Sequence, residues 1–151
     1  MSQTMPEMLS DEERRALACV AGLMIPASAE YGVPGADDDA ILADMVASLG
    51  RDGPAVRAAL ARLDALAGGR FAGLAAPERA AVAARLRAEG GPAVATLNRV
   101  VLQCYYRDDR VLASLGIEPR APFPKGHALE QGDWSLLEPV RRRGKLWRDA
   151  P

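Results

Sequence analysis

A chain of 151 residues with 19 lysines and arginines against 20 aspartates and glutamates has a formal net charge of −1, which excludes the strongly basic footprint of a phosphate-binding, nucleic-acid protein. Hydrophobic residues make up 49 % of the chain but aromatics only 5 %, so the apolar material is plentiful in count and thin in volume. The length suits one domain with a tail to spare.

The first element is a helix from Ser10 to Met24, with Leu17, Val20, Ala21 and Met24 on one face. Arg14-Arg15, the apolar run behind them and Ala27-Ser28-Ala29 imitate a twin-arginine export signal with a small-residue cleavage site. The stretch ahead of the pair is acidic where such a signal is positive, and Ser10 with Glu13 makes a capping box. The segment is therefore expected to be a retained helix. Pro26 stops it, and Tyr31-Gly32-Val33-Pro34-Gly35 reads as a turn-forming loop. Asp37-Asp38 then supply the cap of a second helix through Ile41, Leu42, Met45, Val46 and Leu49.

Gly50 to Gly53 break the chain, and Pro54 opens a third helix with the stripe Val56, Leu60, Leu63 and Ala67, ended by Gly68-Gly69. Pro77 opens a fourth helix through Val82 and Leu86 to Glu89. After Gly90-Gly91, Pro92 opens a fifth through Val94, Leu97, Val101 and Tyr105. The charged run after Tyr106 reads as the start of a loop, and Val111 to Leu115 allow one last short helix.

From Gly116 onward Pro119, Pro122, Pro124 and Pro139 forbid long helices. Disordered tails are poor in aromatics, yet this one holds Phe123, Trp134 and Trp147. A segment of that kind reads as an arm that orders against a surface. Arg141, Arg142 and Arg143 beside two tryptophans match the composition of protein interfaces, where guanidinium groups pair with carboxylates and stack on rings.

Little chemistry is legible. The single histidine, His127, has no partner set for general-base or nucleophilic catalysis, and is expected to hydrogen-bond the arm's backbone or meet an acid on a partner. Cys19 and Cys104 stand in no zinc, iron–sulfur or haem spacing; they read as two buried thiols, with a disulfide between them as the alternative. Asp37, Asp38 and Asp39 are consecutive at a helix start and lack the alternating ligands of a calcium loop.

Met24-Ile25-Pro26, then Val33-Pro34-Gly35-Ala36 ahead of a helix, Phe71-Ala72-Gly73-Leu74 with Glu78-Arg79, and Tyr105-Tyr106 ahead of Leu115-Gly116 occur in an order that resembles the subunit-3 family of gluconate 2-dehydrogenase. The similarity spans about residues 10–120. It implies a small, non-catalytic subunit of a dehydrogenase acting on sugars and sugar acids. In such complexes the large subunit is a flavoprotein of the glucose–methanol–choline (GMC) oxidoreductase group, which carries the FAD and the catalytic residues. Many small subunits of that family begin with a twin-arginine signal that takes the large subunit across the membrane, and the acidic stretch before Arg14 departs from that pattern.

The sequence thus predicts an all-α protein: a bundle of five or six short helices over residues 1–116 and an extended, irregular partner-binding arm over 117–151. It predicts no catalytic, cofactor-binding or metal-binding residue in this chain, and no nucleic acid or membrane insertion. Phe123, His127, Trp134, Arg141, Arg142, Arg143 and Trp147 are the expected contacts to a large flavoprotein subunit. The expected address is cytoplasmic, with periplasmic export alongside the partner as the alternative. A helical interaction module for an unrelated partner is the rival reading.

Overall fold

The first helix, α1, covers Asp11–Met24 and begins on the capping box that the sequence predicts. The Ser10 N–H donates to Glu13 Oε2 at 2.7 Å, and the Glu13 N–H donates to Ser10 Oγ at 3.2 Å, so two of the orphan donors of the first turn are satisfied reciprocally. Ala16, Leu17, Val20 and Ala21 are buried. The computed structural model describes residues 9–120, 126 and 128–149. It divides into two units, Met1–Pro119 and Arg120–Pro151.

In the first unit the remaining helices are α2 (Asp39–Ser48), α3 (Gly53–Ala67), α4 (Ala76–Glu89), α5 (Pro92–Tyr105) and α6 (Asp109–Ser114). The described residues contain no strand, only an isolated antiparallel bridge between Ser28 and Val33. The predicted punctuation is what shapes the chain. Asp38 caps α2 through its side chain, Gly68 ends α3 in the left-handed region at φ 69°, and prolines sit in the first turns of α3, α4 and α5. The core is aliphatic, with Leu17, Ile41, Met45, Val56, Leu60, Leu63, Leu97 and Val101 essentially inaccessible to solvent.

α3 lies at its centre and packs on α1, α4 and α5. The stripe Val56, Ala59, Leu60 and Leu63 supplies the buried face. Ala59 is as fully buried as the leucines beside it. Phe71 is the largest fully buried side chain, on a single 3-10 turn, Phe71–Gly73, between α3 and α4. Sequence periodicity gave no reason to place it in the core. Its backbone N–H donates to Asp64 Oδ1 at 2.9 Å, which fixes the turn against the end of α3.

The loop between α1 and α2 is a closed structure. The Ala36 N–H donates to the Ile25 carbonyl at 2.9 Å, Ser28 and Val33 exchange two backbone hydrogen bonds of 3.1 Å, and the Tyr105 hydroxyl donates to the Pro34 carbonyl at 3.2 Å. Gly35 is buried, and a Cβ there would lie 3.0 Å from the Ala27 backbone nitrogen and closer still to the Asp37 carboxylate. Glycine is required by space. Cys19 and Cys104 are free thiols, half-buried and buried, so the disulfide alternative is not realised. Burial is the main cause that pushes the Cys104 thiol above its ordinary pKa.

The second unit departs from the irregular arm of the sequence prediction. A 3-10 turn over Trp134–Leu137 runs into a four-residue helix, α7 (Glu138–Arg141). Asp133 starts it by accepting from both the Ser135 N–H at 3.0 Å and the Ser135 hydroxyl at 2.6 Å, and Pro139 is tolerated because it stands in the first helical turn. The prolines limit helix length, as expected, without preventing helix.

Two outcomes follow. Phe71→Ala should lower unfolding free energy by about 3–5 kcal/mol, the usual range for an aromatic deleted from a closed core, as read by denaturant titration; a loss under about 1 kcal/mol would mean the site collapses or is not buried. Mass spectrometry of the native protein should also find Ser10 to Glu30 present, because removing them would take Leu17, Val20 and Ala21 out of the core. A mature terminus near Glu30 would identify α1 as a cleaved signal instead.

Candidate functional site

The expected contact residues lie in the second unit, of which Phe123 and His127 fall outside the described residues. Every residue from Ala128 to Asp149 is exposed. Trp134 retains 63 % of its accessible surface and Trp147 70 %, while Leu129, Leu136, Val140 and Leu146 are each more than half exposed. Isolated apolar residues on a surface are ordinary; a succession of this size is not. The aliphatic members were not singled out in the sequence, although Val140 and Leu146 flank the arginines that were.

The local order of this segment is polar and short-range. Trp134 Nε1 reaches Gln131 Oε1 at 3.5 Å, Arg141 pairs with Glu138 at 3.1 Å, Lys145 pairs with Asp149, and the Lys145 ammonium stands 6.0 Å from the centroid of the Trp147 ring. The side chains of Arg142, Arg143 and Arg148 have no hydrogen bond or ion pair among the described residues. Asp133, hydrogen-bonded by Ser135, is held below the usual carboxylate range.

In the first unit a second feature is present that the sequence reading missed. An apolar groove of about 390 Å³ opens between α1, α4 and α5, lined by Val20, Leu23, Met24, Ala80, Ala83, Ala84, Leu86, Val94, Leu97 and Leu102, with Arg87 and Asn98 as its polar members. Its cause is the composition: three alanines of α4 are too small to fill the space that Leu23 and Leu102 border. An alanine-rich helix face opposite leucines is the signal that would have found it.

The acidic residues of the predicted loop and helix start are occupied structurally. Arg110 bonds Asp38 at 2.7 and 3.1 Å and Asp108 at 3.0 Å, and Arg107 grips Asp44 through two bonds of 2.6 Å and also contacts Ser48. The charged run after Tyr106 is therefore a clamp between α2 and the α5–α6 junction rather than the start of a loop. Hydrogen bonds from Arg110 hold Asp38 and Asp108 below the usual carboxylate range, and those from Arg107 do the same for Asp44. No group of three His, Cys, Asp or Glu side chains among the described residues is placed to hold a metal ion, and no helix among them is long and apolar enough to cross a membrane.

The motif residues of the family resemblance likewise hold structure. Met24 to Pro26 and Val33 to Ala36 are the two sides of the closed loop, Glu78 accepts from the Ala75 N–H at 3.1 Å at the start of α4, and Arg79 reaches the Cys19 sulfur. Arg79 lines a small open cleft together with Cys19 and Asp37. No family model, curated protein or solved structure matches the chain.

The clamp has a definite pH dependence. Carboxylates whose folded pKa lies below the ordinary value of about 3.9 add stability that is fully present above that value and is lost as pH falls through the lowered folded values. These pairs are partly exposed, so each is worth under about 1 kcal/mol. The double variant Arg107→Ala with Arg110→Ala should be less stable than the parent at pH 7, and the gap should be smaller at an acidic pH below the ordinary carboxylate value of about 3.9. Denaturant titrations at both pH values measure it; a gap unchanged in acid would assign the effect to packing of the arginine stems.

Proposed function

We propose that this chain is a non-catalytic accessory subunit that binds and stabilises the flavin-dependent catalytic subunit of a sugar or alcohol dehydrogenase, with the arm as its main contact. The observation that carries the reading is the run of exposed residues from Ala128 to Asp149, which includes both tryptophans of the chain. An indole offers about 150–250 Å² of largely apolar surface, and a segment of short turns has no interior in which to hide it. The partner's identity, a GMC-type flavoprotein carrying FAD, rests on the resemblance of the helical unit. The chain donates no catalytic group in this reading, and the complex works in the cytoplasm unless the partner carries it out to the periplasm.

Co-expression with candidate GMC-type flavoproteins, followed by pull-down and an absorption spectrum, is the test. The complex should show flavin absorbance and the isolated chain should be colourless. Capture of only unrelated proteins would favour a helical interaction module of another kind, and stoichiometric flavin on the isolated chain would overturn the accessory role. Removal of residues 117–151, or Trp134→Ala with Trp147→Ala, should weaken the complex by about 2 kcal/mol per anchor while circular dichroism of the free subunit changes little. Undiminished affinity in the truncated chain would show the arm to be dispensable.

A further inference from the structure

The second half of the arm has a charge pattern that its own folding leaves unused. From Glu138 to Asp149 there are five bases, Arg141, Arg142, Arg143, Lys145 and Arg148, against two acids. Both acids are already engaged: Glu138 by Arg141 and Asp149 by Lys145. That leaves the guanidinium groups of Arg142, Arg143 and Arg148 without a counter-charge among the described residues, on either side of Leu146 and Trp147, which are 75 % and 70 % exposed.

We infer that the surface receiving this segment is a carboxylate-lined groove of a folded protein, in which Arg142, Arg143 and Arg148 pair with acids while Trp134 and Trp147 fill apolar sockets between them. The inference rests on the accessory-subunit reading above and specifies the chemistry of the partner's side. Guanidinium forks match carboxylates in a bidentate geometry that fixes orientation. Fully wet rim charges contribute little affinity, but they steer encounter and reject partners of the wrong sign.

Two other polyanions share the attraction to arginine and are disfavoured by what surrounds it. A nucleic acid offers no sockets for Leu136, Leu137, Val140 and Leu146, and Glu130, Asp133, Glu138 and Asp149 are spread along the same segment, where they repel phosphate. An anionic membrane binds a sustained amphipathic helix with one apolar face. Here the helical stretch is only the two contiguous four-residue pieces Trp134–Leu137 and Glu138–Arg141, ended before Gly144.

The experiment uses the full chain and the purified GMC-type flavoprotein that the co-expression test recovers with it, in a surface-binding assay between about 50 and about 500 mM NaCl, a range over which the screening length falls from about 14 to about 4 Å. The association rate should drop about tenfold or more across that range. The triple variant Arg142→Glu, Arg143→Glu, Arg148→Glu should associate at least about tenfold more slowly at low salt, whereas the control Arg51→Glu on the helical unit should not. In parallel, vesicles of phosphatidylcholine with phosphatidylglycerol and a duplex DNA are offered to the same chain, and neither should retain it. A complex that forms with a rate indifferent to salt and to the triple variant overturns the acidic groove while leaving the accessory role standing. Retention on vesicles or DNA that the triple variant abolishes reassigns the basic segment to that polyanion. Failure of any complex to form overturns both readings together.

Discussion

The burial of one face of α3 is the constraint on which the helical unit depends. Val56, Ala59, Leu60 and Leu63 lie on the face of α3 that meets α1, α4 and α5, and 3-10 turns over Gly50–Asp52 and Phe71–Gly73 flank the helix. In a chain so poor in aromatics, aliphatic contact at close range has to do what large rings do elsewhere. Phe71 and Tyr105 are the aromatic members of the core, and Phe71 sits on the turn between α3 and α4, tied to the end of α3 through Asp64. The ion pairs then act at the edges. Arg62 holds Glu89 through bonds of 2.7 and 2.8 Å between α3 and α4, and Arg99 holds Asp52 at 2.8 Å. Their exposure makes them aids to register more than sources of stability.

The same economy produces the unfilled groove between α1, α4 and α5. Where α4 presents Ala80, Ala83 and Ala84, the helices cannot approach closely enough to exclude solvent from Leu23 and Leu102. On α3 the small residue, Ala59, is fully buried; on α4 Ala80, Ala83 and Ala84 line the groove beside Leu23 and Leu102. Alanine permits close approach only where the opposite surface is also free to move in.

Helices, caps and breakers were legible because each depends on a few neighbouring residues. The Ser10–Glu13 box, the Asp38 cap, Gly68 and the prolines of three first turns all acted as local chemistry requires. Phe71, the Arg107 and Arg110 clamp and the groove were not legible. Each joins residues remote in sequence: Arg110 to Asp38, Arg107 to Asp44, α4 alanines to α1 and α5 leucines. A one-dimensional pattern carries the face of a helix but not what stands opposite it. The two turns at 134–141 were missed for another reason, since proline counts were weighed without their position. Pro139 in a first turn costs almost nothing, while the same residue one turn later would have broken the helix.

The arm's part of the site was legible in its residue types and not in its partner, and the reason is energetic. Ordering a backbone residue costs about 1–2 kcal/mol, so a 22-residue exposed segment cannot be held in one form by the few ion pairs and turns it makes alone. Its tryptophans and leucines become stabilising only when a second surface removes them from water. Local turns at 134–141 still matter, because they fix Trp134 relative to Leu137 and Val140 before any encounter and so lower the entropy lost on docking. A shorter ordered stretch also means that the anchors, rather than the whole arm, set affinity. In the proposed complex the apolar side chains and the three arginines would divide the labour by physical range: charge acts across several ångströms of water and would govern approach, whereas indole burial acts only at contact and would govern departure.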